Sequence, residues 1–234
     1  MRYTVIRKIL RKEGLPMKTP ITIKAIRQHF TYSWWKYALL ALLAIFGWNL
    51  IYTVTEYRPP ADKKIDLFIF GVGEEELMDA YMEDIRVNEM PDMEEMGSAF
   101  LLVDDTYTPM QLATYIAVGE GHLYMLPKSY FQDYASQGAF LPLENIPGLV
   151  EKLEAAGIDL ARGWRTEAES GERHLYGIPM ENFPGLAAFA YTYDDTYLSI
   201  TATNGNDENS YKFLQIFLED MLEPPLQIAM PDIY

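Results

Sequence analysis

Between residues 65 and 222, short apolar runs alternate with stretches in which apolar side chains recur every three or four residues. Runs of the first kind are typical of buried strands, and stretches of the second kind are typical of helices with one buried face. The predicted strands are Ile65–Gly71, Ser98–Asp104 and His122–Pro127, and the helices that follow them are Glu74–Ile85, Thr108–Gly119 and Lys128–Gly138. This β-α-β-α-β-α order predicts an α/β fold with a three-layer, mostly parallel sheet and helices on both faces.

The units that follow residue 145 are less regular. The pattern predicts a helix at Pro147–Gly157 and a long amphipathic helix at Glu208–Leu222. Further strands are predicted at His174–Met180, Gly185–Tyr193 and Tyr197–Thr203. Residues 223–234 contain three prolines, which favours an irregular tail.

An uncharged run of eighteen residues, Tyr37–Val54, precedes this region. As a helix it would be about 27 Å long, close to the roughly 30 Å hydrocarbon core of a bilayer. Aromatic residues typical of membrane interfaces flank the run, namely Trp34 and Trp35 on one side and Trp48, Tyr52 and Tyr57 near the other. We therefore expect a transmembrane helix here, with the lipid bilayer as its partner.

The charge differs sharply on the two sides of this run. Residues 1–36 hold nine Lys or Arg and one Glu, a net charge of +8, whereas residues 37–234 hold ten Lys or Arg and thirty-three acids, a net charge of −23. The positive-inside rule then predicts a single-pass protein of the cell membrane with a basic cytoplasmic segment, 1–36, and an extracellular C-terminal domain. The acidic part should repel nucleic acid, so no nucleic-acid partner is expected.

Two further expectations concern the chain before the domain. Residues 55–64 contain Pro59 and Pro60 and predict a short stiff stalk, and the absence of a small-x-small cleavage site indicates an uncleaved signal anchor. The codons for Arg11–Gly14 can form a ribosome-binding purine run, so one hypothesis places the true start at Met17 and makes residues 1–16 an annotation artefact. The alternative is a genuine basic leader, and mass spectrometry of N-terminal peptides distinguishes the two.

The chain offers little reactive chemistry. It has no cysteine, which excludes a lipoprotein anchor, disulfides and zinc–thiolate sites on this chain. Adjacent acids such as Asp104–Asp105 and Asp194–Asp195 point to opposite sides of a strand, and the single histidines lack ligand-spaced neighbours. Met90, Met93 and Met96 have a spacing that can hold Cu(I), but methionines more often fill core gaps. We expect no catalytic residues, no metal, no cofactor and no enzyme activity.

Three segments resemble the extracellular solute-binding proteins of ABC importers, of the type 2 periplasmic-binding-protein class. They are "LPKSYFQDYASQGAFLPLEN" at Leu126–Asn145, "LYGIPM" at Leu175–Met180 and "TYLSITATNGNDENSYKFLQIFLEDM" at Thr196–Met221. The resemblance covers about residues 65–222 and implies a lobe that binds a small polar solute and works with an importer.

The chain departs from that family in the region where the family has its second lobe. In the family, a segment about as long as a second lobe lies between the "yGiP" strand and the late strand and helix. Here only "ENFPGLAAFAYTYDD" lies between them. The resemblance therefore implies one lobe of a two-lobed protein, anchored by a membrane span. The alternative reading is a structural ectodomain whose open face docks another extracellular protein, such as a transporter or a separate chain that supplies the second lobe.

Ligands of open α/β sheets gather at the carboxyl ends of the strands, so the residues after each predicted strand are the candidate binding residues. They are Gly71, Val72, Gly73, Asp105, Tyr107, Lys128 and Tyr130. The glycines let a ligand approach the backbone, and an aspartate and a tyrosine can hydrogen-bond to and stack on a polar ligand such as a sugar. The alternative is that these are turn and helix-cap residues.

Overall fold

The computed structural model describes residues 22–103, 106–191, 195–202 and 205–225. The chain divides between Arg58 and Pro59 into two compact units. In the first unit, helix α1 (Ile23–Thr55) contains Ser33–Thr55, the one segment among the described residues that is long and apolar enough to cross a membrane. None of that segment is buried. The predicted start at Met17 and most of the predicted tail lie outside the described residues.

The second unit, residues 59–234, is called here the globular unit. Its strands are β1 (Lys64–Phe70), β2 (Glu95–Leu101), β3 (Leu123–Pro127), β4 (Trp164–Thr166), β5 (Arg173–Leu175), β6 (Ile178–Pro179) and β7 (Thr196–Ile200). Its helices are α2 (Glu75–Asn88), α3 (Thr108–Val118), α4 (Lys128–Ser136), α5 (Leu149–Ala155) and α6 (Asp207–Leu222). Short 3₁₀ helices lie at Ala61–Lys63, Leu143–Asn145, Leu160–Arg162 and Pro184–Phe189.

Among the described residues, five strands form the main sheet in the order β2-β1-β3-β7-β6. Strand β1 is parallel to β2 and β3, whereas β7 is antiparallel to β3 and β6. Phe70 is opposite Leu101, and Leu126 is opposite Tyr197. The carboxyl ends of β1, β2 and β3 and the amino end of β7 therefore lie along one edge of the sheet, called here the upper edge.

Side chains of the main sheet alternate between two buried faces, as the period of a strand requires. Ile65, Leu67 and Ile69 belong to one core cluster together with residues of α2 and α6. Phe70 and Tyr124 belong to a second cluster together with residues of α3 and α4. The predicted α/β fold with helices on both faces of the sheet is thus confirmed. The prediction of a mostly parallel sheet is wrong, because β7 runs antiparallel to both β3 and β6 and makes the sheet mixed.

Two strand predictions are wrong in detail. Where a strand is predicted at Gly185–Tyr193, the structure has the 3₁₀ helix Pro184–Phe189, which begins at Pro184. Gly185 lies close against α6, and a Cβ there would come within 2.8 Å of the Met221 Cα atom. The predicted strand His174–Met180 is divided into β5 and β6. Strand β5 pairs with β4 in a separate two-stranded sheet, called here the small sheet, whereas β6 pairs with β7 in the main sheet. Gly177 lies at the break, where the Phe131 ring leaves no room for a side chain.

The connection between β6 and β7 is short. These neighbouring antiparallel strands are joined by residues 180–195 alone, of which 192–194 are not described. Phe183, Leu186 and Phe189 of this connection are buried in the core beside α6. This short connection thus contributes to the core of the globular unit.

His174 links the small sheet to the segment before α5. Its Nδ1 atom lies 2.6 Å from Glu144 Oε1 and its Nε2 atom 3.3 Å from Glu172 Oε2, while the Leu175 backbone N–H donates to Glu144 Oε2 at 2.9 Å. The hydrogen bond to Glu144 raises the pKa of His174 above its ordinary value of 6.5, against a smaller effect of desolvation. The protonated imidazole therefore stabilises the folded unit.

This arrangement predicts a pH dependence of stability. Because the folded pKa lies above the unfolded one, the contribution of His174 is complete below about pH 6.5 and is lost as the pH rises through the folded pKa. We expect His174→Gln to remove this component when the free energy of unfolding of residues 59–234 is measured by urea titration from pH 5.5 to pH 8.5. An unchanged pH profile in the variant would contradict the assignment.

Candidate functional site

The upper edge carries most of the residues predicted from the sequence. Gly71, Val72 and Gly73 follow β1, and Tyr107 precedes α3. Lys128 and Tyr130 lie in the first turn of α4, and Tyr130 packs against the second core cluster. Asp105 lies outside the described residues. The structure thus places the described candidates along one edge, but it gives them different surroundings.

The two glycines after β1 are explained by packing. A Cβ on Gly71 would come within 2.5 Å of a ring carbon of Tyr191, and a Cβ on Gly73 would overlap the ring of Phe100. The rings of Phe100 and Tyr191 lie 6.2 Å apart, and burial raises the pKa of Tyr191 to about 12. Small residues are therefore needed here to admit two rings, which is a sufficient reason without a ligand.

Lys128 begins a chain of four charged side chains at the upper edge. Its Nζ atom lies 3.1 Å from Asp195 Oδ2, Asp195 Oδ1 lies 3.6 Å from an Arg162 nitrogen, and Arg162 also pairs with Glu181. The four side chains are between 37% and 45% exposed, so solvent reaches all of them. This group, called here the charged chain, joins α4, the segment before β4 and both ends of the β6–β7 connection.

Asp195 is held in an unusual backbone conformation. Its φ angle is 54°, in the left-handed region that residues other than glycine rarely adopt. Its carbonyl oxygen accepts a hydrogen bond of 2.9 Å from the Lys128 backbone N–H, so the same two residues are joined by backbone and side chain. This strained conformation occurs at the residue that pairs with both Lys128 and Arg162. Strained backbone conformations are often found at functional sites.

Tyr197 lies beneath the charged chain. Its ring stacks on Phe131 with centroids 4.4 Å apart, and it is fully buried. Its hydroxyl has no hydrogen-bond partner among the described residues. Burial raises the pKa of Tyr197, while the charges of Arg162, Lys128 and Arg165 oppose that rise and Asp195 adds to it. A buried hydroxyl without a partner is a group that a water molecule or a ligand atom can satisfy.

The other half of the upper edge is apolar and open. Five large side chains there are between 47% and 73% exposed, namely Val72, Leu102, Val103, Tyr107 and Met110. They are called here the edge patch. The Gly71 N–H donates to the Leu101 carbonyl at 2.9 Å and the Thr108 hydroxyl to the Leu102 carbonyl at 3.2 Å, so the loops that carry them lie side by side.

Acidic residues border the edge patch on the side of α2. Glu74, Glu75 and Glu76 directly follow Gly73, and all three are exposed. The described stretches that contain the patch, 72–76, 102–103 and 106–111, hold no Lys or Arg.

Sequence reasoning missed most of the charged chain. The sequence predicts Lys128, but it presents Asp195 only as one of an acidic pair and gives no signal for Arg162 or Glu181. These residues come from segments far apart along the chain, and only the antiparallel pairing of β7 with β3 brings Asp195 to Lys128. The signal that could have found it is that Asp195 lies two residues before the last predicted strand, Tyr197–Thr203.

Two surface grooves lie elsewhere. One of about 240 Å³ lies between α5 and α6 and is lined by Leu149, Leu153 and Leu218 among others. The other, of about 480 Å³, is lined by Leu160, Trp164 and neighbouring residues before the small sheet. Within the part of the chain that the structure describes, no three His, Cys, Asp or Glu side chains are grouped so as to hold a metal ion.

No family model matches the chain, and no curated protein matches it. Among solved structures, it is similar to an extracellular solute-binding protein family 1 member from Alicyclobacillus acidocaldarius, with 21% identity and a TM-score of 0.38 over 53% of this chain and 29% of that one. It is also similar to maltose-bound MalE3 of T. maritima, with 20% identity and a TM-score of 0.37 over 50% of this chain and 28% of that one. A third similar structure is the galacto-N-biose-/lacto-N-biose I-binding protein of Bifidobacterium longum in complex with lacto-N-biose. Its identity is 16% and its TM-score 0.31, over 54% of this chain and 30% of that one. The chain thus spans less than a third of each of these solved chains.

Proposed function

We propose that this chain is a membrane-anchored extracellular module of the solute-binding type that serves as an accessory to an ABC importer. Helix α1 would anchor it with the N-terminus in the cytoplasm, in keeping with the basic residues 1–36. The globular unit would then meet a small polar solute outside the cell. The sequence resemblance of residues 65–222 supports this proposal, and no residue is assigned a catalytic role.

The charged chain is the observation that carries the proposal. It lies at the carboxyl end of β3, in the region where open α/β sheets bind their ligands. Lys128 and Arg162 supply hydrogen-bond donors, and Asp195 and Glu181 supply acceptors, all within reach of solvent. A polyhydroxyl solute needs both kinds of group at once, because each hydroxyl donates one hydrogen bond and accepts others.

Binding at this site should be weak. The β6–β7 connection completes the core instead of leading to a second lobe, so a solute at the upper edge remains open to water. A binding pocket commonly covers most of its ligand, and an open half-site lacks that enclosure. We therefore expect dissociation constants in the millimolar range, about −4 kcal/mol of binding free energy.

Thermal unfolding of residues 59–234 tests this function. We expect one member of a panel containing maltose, lacto-N-biose and mannitol to raise the melting temperature, because a solute at about 100 times its dissociation constant stabilises the folded state by about 2.7 kcal/mol. Arg162→Gln should abolish that shift. Lys152→Gln, which breaks the similarly exposed ion pair with Glu219 on the α5 side, should leave it unchanged. A panel that produces no shift in the wild type would contradict solute binding.

A second candidate function is docking to another extracellular protein. The edge patch favours it, since several exposed apolar side chains on neighbouring loops mark an interaction site more often than isolated ones do. In this alternative the upper edge contacts a protein surface and the charged chain lies at its border. The two candidates make different predictions for Tyr107, which is exposed in the patch and belongs to no part of the charged chain.

A further inference from the structure

We propose that the edge patch docks an extracellular protein domain whose contact surface is apolar at its centre and carries Lys or Arg at its border. The inference rests on the docking alternative of the proposed function and specifies the chemistry of the partner. It concerns Val72, Leu102, Val103, Tyr107 and Met110, with Glu74–Glu76 as the charged border.

The exposed apolar side chains of the edge patch come from neighbouring segments of the fold. Scattered surface hydrophobics are normal, but these five come from the ends of two adjacent strands and the first turn of the helix that follows. Tyr107 and Met110 are three residues apart at the start of α3, so they lie on the same side of that helix. Aromatic residues and methionine are enriched at the centres of protein interfaces, which fits Tyr107 as an anchor.

Charge selects among the surfaces that could cover an apolar patch. Glu74, Glu75 and Glu76 border the patch, no described residue within it is basic, and residues 37–234 carry a net charge of −23. A second copy of the chain would bring the same acidic border, and an anionic lipid surface would be repelled as well. A basic border on a different protein is attracted, which increases the rate of association and helps to fix the orientation.

Site-specific photo-crosslinking of the full chain in its native membrane tests this proposal. Tyr107 is replaced by p-benzoylphenylalanine, and Val118 is replaced in the same way as a matched control. Both positions are 66% exposed, but Val118 lies at the other end of α3, outside the patch. We expect one discrete protein adduct from position 107 and none from position 118. Mass spectrometry should identify a domain with an apolar surface bordered by Lys or Arg.

The charge of the partner is tested in a second arm. Glu75→Lys combined with Glu76→Lys should reduce the yield of the adduct from position 107 by about tenfold, because like charges then face each other. Glu151→Lys combined with Glu154→Lys, on α5, should leave the yield unchanged. Raising the salt concentration from about 50 mM to about 500 mM should also lower the yield of the adduct in the chain without charge reversals, since salt screens a charged border without any further substitution.

Three outcomes of the crosslinking would overturn docking at the edge patch or the basic border of the partner. If positions 107 and 118 give the same adducts, docking at the edge patch is overturned, and the docking alternative fails with it. If a discrete adduct forms but responds neither to charge reversal nor to salt, docking stands and the basic border is overturned. An adduct with lipid or with a second copy of this chain also overturns the proposed partner.

Discussion

Replacing Phe131 with alanine is expected to lower the free energy of unfolding of the globular unit by about 3–5 kcal/mol, the range for a large aromatic truncated in a well-packed core. Phe131 is fully buried on α4, with its ring stacked on Tyr197 at 4.4 Å and on Phe140 at 6.3 Å. The Arg165 guanidinium lies 5.4 Å above the same ring. The truncation therefore removes the packing of α4 against Tyr197 of β7 and against Phe140, and it also removes the ring beneath Arg165.

Urea unfolding of residues 59–234, followed by circular dichroism, measures this effect. Tyr107→Ala is a suitable control, because it removes an aromatic ring of similar size that is 66% exposed. We expect the control to change the free energy of unfolding by no more than about 0.5 kcal/mol. A loss below about 1 kcal/mol for Phe131→Ala would contradict its place at the centre of the second core cluster.

Gly163→Ala is expected to cost about 3 kcal/mol, at the upper end of the usual range for overpacking. A Cβ at this position would overlap the carbonyl oxygen of Gly177 and come within 2.9 Å of Leu175 Cδ1. The Tyr176 N–H also donates to the Gly163 carbonyl at 3.2 Å, so the two backbone segments are joined where they meet. A backbone oxygen cannot rotate away as a side chain does, which is why the added methyl group should be costly.

Gly97→Ala is the matched control for this substitution. Gly97 lies in β2 with an ordinary backbone conformation, and nothing lies within 4 Å of a Cβ placed there. The same chemical change should therefore be neutral or stabilise by up to about 1 kcal/mol, because alanine restricts the unfolded chain more than glycine does. Equal losses at positions 97 and 163 would show that close backbone approach is not the cause.

The first half of the fold could be predicted because its units are local. The apolar run at Ile65–Gly71 and the helical spacing of Met78, Met82 and Ile85 report burial directly, and both appear in the structure as predicted. Strand β2 begins at Glu95 instead of Ser98, because its side chains are only half buried and give a weaker signal. Periodicity thus worked best where one face is fully buried.

The second half depends on contacts that local patterns do not contain. The apolar residues of Gly185–Tyr193 suggest a strand, but they become buried by packing on α6, so a 3₁₀ helix satisfies them equally well. At the candidate site, the carboxyl-end rule located Lys128 and Tyr107 correctly on the upper edge. It could not locate Arg162 or Glu181, because their positions depend on how irregular segments meet in space.

The pairing of β3 with β7 bears on the order in which the sheet can form. Leu126 lies opposite Tyr197, about seventy residues later in the chain, whereas the units β1-α2-β2-α3-β3 are built from contacts closer in sequence. Contacts of such long separation close large loops at an entropic cost, which slows their formation. Until β7 and α6 have been synthesised, one side of β3 is unpaired, and the face of the sheet that packs against α2 and α6 is partly uncovered. A nascent or C-terminally truncated chain therefore has an unpaired strand that is prone to aggregation.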